Sequence, residues 1–428
     1  MGYLIILITF LYCIYINKNL NMSSKIIWFI GINIFFNDVI YFFSRKYILG
    51  TYEQLLILTI IFFLFLSYKG KKEKNNNIKY IVYISIILIL IFLSDVISGI
   101  YSPQRGFYLH SSYLSITFIL LVSRFKTSYD EVINVFINIL ILYVYSSILA
   151  VVIDVNKAIQ FNYGETIIGV PIRYNGIITH ANGFSIILAV SIIILIYNKQ
   201  IKNREIKITI TTISLIFTQS KTSIIAIIVV IILNFIINFF ERVKSKKKRV
   251  ILKILLSLIF ISIIIFIVPK ISFDEITFTG RVRLWKDSLE VWKNHKILGY
   301  GPNFLNEEYR TAVYGINSPF GQAHNQFIQA LAQNGIIGAI LLIILLLLVN
   351  KICVYLLNKE DNYTIVGIFL LILIRMMTET PMKTTGMDFN WYILLISLLL
   401  LIYKMNEICR EAFEGEFNGK NSSNNYMP

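Results

Sequence analysis

Apolar runs of roughly the length of a membrane-spanning helix, about 20 residues, alternate with short polar breaks along almost the whole chain. The pattern predicts about thirteen spans, at 2–17, 26–43, 54–68, 80–100, 108–123, 132–153, 176–197, 206–219, 222–240, 250–268, 335–357, 363–379 and 389–403. Those at 54 and 206 are short. The fold class is therefore all-α: a polytopic integral membrane protein with about 12–13 transmembrane helices and one large, partly helical loop at 269–334. Residues 1–405 read as a transmembrane domain that includes this loop. The polar stretch 406–428, ending Asn-Gly-Lys-Asn-Ser-Ser-Asn-Asn-Tyr-Met-Pro, reads as a disordered cytoplasmic tail.

Composition agrees: 56% of residues are hydrophobic and the mean hydropathy is +0.69. The net charge of +16 would suggest nucleic acid in a soluble protein. Here the densest basic clusters, Lys69 to Lys79 and Arg242 to Lys253, sit between apolar runs, as cytoplasmic loops do. No nucleic-acid partner follows; the bilayer is the partner. Residues 2–16 lack the basic start and small-residue cleavage site of a signal peptide. Cys13 and Cys353 lie in spans and Cys409 in the tail, which suggests neither a disulfide framework nor a thiolate metal site.

With Lys69–Lys79, Lys199–Lys207 and Arg242–Arg249 inside, segments 101–107, 154–175 and 269–334 fall outside. The N-terminus is then outside and the C-terminus inside. The loop 269–334 is nevertheless basic, and binding an anion is the simplest reason. Val282, Trp285, Leu289 and Trp292 recur there at helical spacing. So do His324, Ile328, Leu331 and Gly335, on a helix expected to run straight into the next span.

Arginine and histidine together suit one chemistry. Arginine binds phosphate oxygens with a planar, always charged fork. Histidine takes a proton from a hydroxyl near neutral pH. For a site facing outward, where no nucleotide is at hand, this points to a lipid-linked pyrophosphate sugar as donor and a hydroxyl as acceptor.

Several motifs in order carry a family resemblance. They are Gly280-Arg281 followed by Trp285, Gly299-x-Gly301 with Phe304, His324-Asn325, and Gly335-Ile336-Ile337-Gly338. Upstream, Arg173-Tyr174-Asn175-Gly176 with Asn182-Gly183, and Ser220-Lys221-Thr222, match more weakly. The set resembles the bacterial O-antigen polymerases and O-antigen ligases, the Wzy/WaaL superfamily, over roughly 170–340. The resemblance implies a glycosyltransferase in the cytoplasmic membrane, active at its outer face. It further implies an undecaprenyl-pyrophosphate-linked oligosaccharide as donor, no metal or other cofactor, a chain-length regulator protein as a possible partner, and a groove for the polyprenyl tail under loop 269–334.

On that resemblance His324, Arg281 and Arg173 are the catalytic candidates: His324 for the acceptor hydroxyl, the two arginines for pyrophosphate. Arg281 shares a helix face with Trp285, so a cation–π or capping pair is its structural alternative. Arg173 could equally be an interface anchor. Arg283, Asn325, Lys221, Gln329 and His180 are the substrate-binding candidates. Lys221 stands where many members have arginine, which weakens a bidentate role. A Ser220–Lys221 nucleophile lacks supporting residues. Asn325 could bind sugar hydroxyls or hold the helix start. Lys286 and Glu290 read as an i, i+4 pair, His295 as structural, His110 as an interface residue, and Tyr300 and Tyr309 as weak stacking candidates. Asp38, Asp95, Arg375 and Glu379 are charges inside spans, which mark function or a buried partner. Arg375 and Glu379 could pair at i, i+4.

Three readings remain open. One is a polymerase of O-antigen or capsule repeats; another is an O-antigen ligase or protein O-oligosaccharyltransferase using the same donor. The third is a flippase of lipid-linked oligosaccharides. A transporter more often shows similar halves and mid-membrane charges, whereas here the charges gather in an outer loop.

Overall fold

The computed structural model describes residues 2–15, 20–67, 78–101, 112–122, 128–161, 164, 166–167, 169–178, 180–241, 281–301, 304, 322–360, 363–382 and 387–423. The span expected at 250–268, the basic clusters at 69–77 and 242–253, His110 and Tyr309 lie outside them.

Every other expected span corresponds to a helix. In chain order the helices are α1 (Gly2–Tyr15), α2 (Met22–Ser44), α3 (Thr51–Ser67), α4 (Ile78–Tyr101), α5 (Ser112–Val122), α6 (Tyr129–Ile153) and the short α7 (Val155–Ala158). They continue with α8 (Ala181–Tyr197), α9 (Arg204–Phe217), α10 (Lys221–Glu241), α11 (Arg281–Asn294), α12 (Gln326–Glu360), α13 (Tyr363–Arg375) and α14 (Phe389–Ser423). Of these, α7 and α11 match no expected span. The protein is all-α and polytopic. Among the described residues, five helices are long and apolar enough to cross a membrane, within α2, α4, α6, α12 and α14, and shorter apolar helices stand among them. Lipid-facing stripes are plain on α10, where Ile225, Ile228, Ile232 and Phe235 are exposed at helical spacing.

Local sequence explains the element ends. Ser128 caps α6 by accepting from Glu131 N at 3.2 Å, with Asp130 and Glu131 in the first turn, where carboxylates suit the helix dipole. α8 is apolar on all sides and buried from Phe184 to Leu195, as a helix in the middle of a bundle must be. It fixes the position of its own N-terminus, where the site lies.

The segment expected at 206–219 is the 14-residue amphipathic α9, the shortness of which the sequence already shows. Three expectations need correction. The span expected to reach 379 ends as a helix at Arg375. The stretch read as an unstructured tail continues α14 to Ser423. Its Glu407-Ile-Cys-Arg-Glu-Ala run is rich in helix formers, which a reading of polarity alone overlooks.

The third concerns α12, which does not run straight. Gly335 breaks it with φ 65° and ψ −161°. The turn 296–301 packs into the break: Tyr300 N donates to Ala332 O at 2.8 Å, Gly301 N to Gln333 O at 2.9 Å, and Ile336 N to Lys296 O at 2.9 Å. A Cβ on Gly335 would run into Ile297 O, so only glycine fits there. Gly299 and Gly301 both have positive φ, as the tight turn requires. His295 packs edge-on against Tyr300 at 5.1 Å.

Candidate active site

The site forms where five segments meet at one end of the bundle. The segment before α8 carries a two-stranded hairpin, β1 (Ile159–Phe161) against β2 (Ile172–Tyr174), with Gln160 opposite Arg173. Gln219, in the turn between α9 and α10, clamps the hairpin. Its Nε2 donates to Val170 O and Ile172 O, and its Oε1 accepts from Ile167 N. Arg173 is thereby aimed at the start of α8. Its Nε donates to Thr218 O at 3.1 Å and its Nη2 to Asn182 Oδ1 at 2.6 Å.

Glu379 is the hub. It lies in the turn that follows α13, with its N–H on Arg375 O at 2.8 Å. Its Oε1 accepts from Arg281 Nη2 at 2.8 Å and from Asn182 Nδ2 at 2.9 Å. Its Oε2 lies 3.0 Å from His324 Nδ1. Arg281 also donates through Nη1 to Thr378 O. One buried carboxylate thus ties together α11, the segment before α12 and the start of α8. Asn182 carries the connection on to Arg173.

Arg375 completes the cluster from below. Its Nη2 donates to Asn182 O at 2.9 Å, and its Nη1 donates to Ser185 Oγ at 3.1 Å and to Ser223 Oγ. The expected Arg375–Glu379 pair does not form. The helix ends between them, so the i, i+4 face is lost, and Glu379 turns to Arg281 and His324 instead.

Burial by itself would raise the Glu379 carboxyl. The hydrogen bond from His324 and the charges of Arg281, His324 and Arg375 outweigh it and hold the pKa down at about 2. With Arg173 reached through Asn182, three arginines and a histidine gather about this single carboxylate, leaving the cluster positive. His324 itself has φ 49°, a left-handed conformation uncommon outside glycine but adopted by histidine more readily than by most residues.

The catalytic candidates His324, Arg281 and Arg173 are therefore brought together. Among the substrate-binding candidates, His180 precedes α8, is exposed, and is close enough to feel the charges of Glu379, Arg173, His324 and Arg375. Lys221 is exposed at the first turn of α10, and the neighbouring Thr222 Oγ1 accepts from Thr378 Oγ1 at 3.0 Å. Arg283 is exposed on α11, whereas Arg281 is turned inward. Asn325 takes the structural option: its Oδ1 caps α12, accepting from Phe327 N at 3.0 Å and Ile328 N at 3.1 Å, while its Nδ2 donates to Met377 O. Gln329 is buried, accepting from Ala323 N at 2.9 Å and donating to Gln333 Oε1 at 2.9 Å, so it braces the loop that carries His324. Glu290 pairs with Lys293 at 2.9 Å, on its own helix, in place of the expected partner Lys286.

Sequence reading singles out Glu379 and Arg375 as charges in a span and Asn182 as part of a motif, but gives none of them a place in the site. Asp95, a charge without an evident role in the sequence, accepts through Oδ1 from Gln333 Nε2 at 2.6 Å and from Asn334 Nδ2. It thus holds the two residues before the break in α12. Among the described residues no group of three or more histidines, cysteines and carboxylates is arranged to hold a metal.

No curated protein matches the chain. Residues 206–343 match the family model described as O-antigen ligase, a stretch that takes in Lys221, Arg281, His324 and the break at Gly335. That stretch is therefore similar to the O-antigen ligase family, in line with the resemblance its motifs carry.

Proposed function

We propose that this protein is a glycosyltransferase that polymerises oligosaccharide repeats carried on undecaprenyl pyrophosphate, at the outer face of the bacterial cytoplasmic membrane. The observation that carries this reading is the joining of Arg281, Arg173 and His324 through Glu379 and Asn182. Glu379 accepts from His324 Nδ1, which leaves the lone pair on Nε2, the tautomer a general base needs. An acceptor hydroxyl attacks the anomeric carbon, and its proton passes to Nε2. The bond from that carbon to the pyrophosphate oxygen breaks, and the leaving pyrophosphate stays on the lipid. Arg281 and Arg173, each a planar fork of N–H donors, neutralise its developing charge. A single displacement inverts the sugar.

A lipid donor is favoured by a crevice between α12, α13 and α14. It is lined by Leu345, Ile368, Phe369, Leu398 and other apolar residues, and reaches Met376 and Met382 on either side of Glu379.

The second reading, a ligase that transfers the same donor glycan to another acceptor, is favoured by the description of the matching family. Purified protein supplied with lipid-linked repeats alone distinguishes them. A ladder of multiples still on the lipid supports polymerase. Transfer that needs an added lipid A core or protein acceptor supports ligase. No transfer to any of these acceptors contradicts both.

A further inference from the structure

A small polar cavity opens beside the site, between α4 and the first turns of α12. It encloses about 30 Å³, room for one or two groups the size of water. Asp95, Gln326, Gln329, Gln333 and Asn334 line it, with Tyr113 at its edge. The half-helix that lines it follows directly on His324 and Asn325, so the cavity lies along the element that presents the histidine.

Three polar atoms on buried residues are left over there, on Asp95, Gln326 and Asn334. Asp95 is 5% exposed, and both of its side-chain hydrogen bonds are taken by Oδ1. Among the described residues its Oδ2 accepts none. Gln326 is also 5% exposed. Its Oε1 accepts from Met382 N at 2.9 Å, which fixes the orientation of the amide, and its Nε2 donates to no described residue. Gln329 is satisfied by Ala323 N and Gln333 Oε1, and Gln333 by Gln329 Nε2 and Asp95 Oδ1. Asn334 Nδ2 is taken by Asp95, and its Oδ1 accepts from no described residue. The cavity therefore offers one anionic acceptor, one neutral acceptor and one neutral donor. A cation suits the carboxylate but is repelled by the N–H; an anion suits the N–H but is repelled by the carboxylate. A hydroxyl donates to an acceptor and accepts from the N–H. The volume admits a hydroxymethyl or a ring hydroxyl but not a whole sugar ring.

We infer that Asp95 Oδ2 and Gln326 Nε2 form a subsite for one hydroxyl-bearing edge of the acceptor saccharide, setting which hydroxyl is presented to His324. This rests on the glycosyl-transfer reading. The subsite also explains why the buried face of this half-helix is amide-rich rather than apolar: Asp95 both holds the broken helix through Oδ1 and reads the ligand through Oδ2.

Asp95→Asn separates the two roles. It keeps one oxygen to accept from Gln333 and Asn334 and replaces the other with a donor. The probe is the repeat saccharide freed from its lipid by mild acid, taken from cells that lack this protein. It carries the acceptor end without the pyrophosphate. Binding is measured on full-length protein in detergent, with His324→Asn in both arms to prevent turnover. The inference expects Asp95→Asn to weaken binding at least tenfold while the thermal midpoint stays within about two degrees of its parent. In the active background, KM for acceptor should rise and kcat should change less than threefold. Unchanged saccharide binding overturns the subsite, and so does a fall in kcat with KM unchanged, which would leave Asp95 a structural brace. If Asp95→Asn unfolds, Gln326→Glu, which keeps the acceptor for Met382 N, must weaken binding in the same way or the subsite falls. If cells lacking the protein accumulate no lipid-linked saccharide, the glycosyl-transfer reading itself fails, and the subsite with it.

Discussion

His324 Nδ1 lies 3.0 Å from Glu379 Oε2, although 55 positions separate the two residues in the chain. The carboxylate orients the ring and stabilises the imidazolium that forms when Nε2 takes a proton. Glu379→Gln should therefore lower transfer by roughly 10²-fold or more, with protein abundance retained. Glu379→Asp should recover part of it. Equal activity in Gln and wild type would show that the carboxylate serves only to hold the fold.

Arg281 and Arg283 lie on one helix with different surroundings: the first is turned onto Glu379 and Thr378, the second is exposed. Arg281→Lys keeps charge and loses the fork, and should cost on the order of 2–3 kcal/mol of transition-state stabilisation, measured as kcat/KM. Arg283→Lys should be much milder. Small and equal losses would mean that α11 supplies only a general positive surface.

The helices were legible in the sequence because an apolar run of span length can satisfy its backbone away from water only by coiling into a helix. The site was legible only in part. Arg173, Arg281 and His324 could be singled out, but the residue that joins them could not, since Glu379 meets His324 and Arg281 across 55 and 98 positions. The tidy stripe His324, Ile328, Leu331 and Gly335 suggested an apolar face. The buried face is instead Gln326, Gln329, Gln333 and Asn334, because its partner is Asp95 rather than an apolar neighbour. That amide stripe was a visible signal. Likewise α11 buries Val282, Leu284, Ser288 and Val291, and its Trp285 turns aside to donate to Ala323 O.

Glu379 sets an acid limit. Its folded pKa of about 2 lies below the ordinary carboxylate value of 4.5. The stabilisation it gives is present above about pH 4.5 and is lost as pH falls towards 2. The thermal midpoint of the solubilised protein should drop across that window, and Glu379→Gln should flatten this part of the curve. The same slope in both proteins would assign the acid loss to other carboxylates.

The break in α12 depends on Gly335. Gly335→Ala places a Cβ against Ile297 O at a positive φ and should destabilise by about 2–4 kcal/mol. Gly164→Ala, where an added Cβ meets nothing within 4 Å, should change little. Similar midpoints for the two variants would mean that the turn 296–301 can move away without cost.

The most direct measurement is of the lipid-linked oligosaccharides in cells whose His324 is replaced. Asparagine is the better substitution, because it tolerates the left-handed φ that alanine does not, while removing the imidazole. Transfer should fall by roughly 10²- to 10⁴-fold, and single repeats on the lipid carrier should accumulate at the outer face, where an impermeant glycosidase or lectin can reach them. Long polymer still on the carrier would place the protein after polymerisation, as a ligase. Single repeats protected on the cytoplasmic side would contradict the enzyme reading and make the protein a flippase.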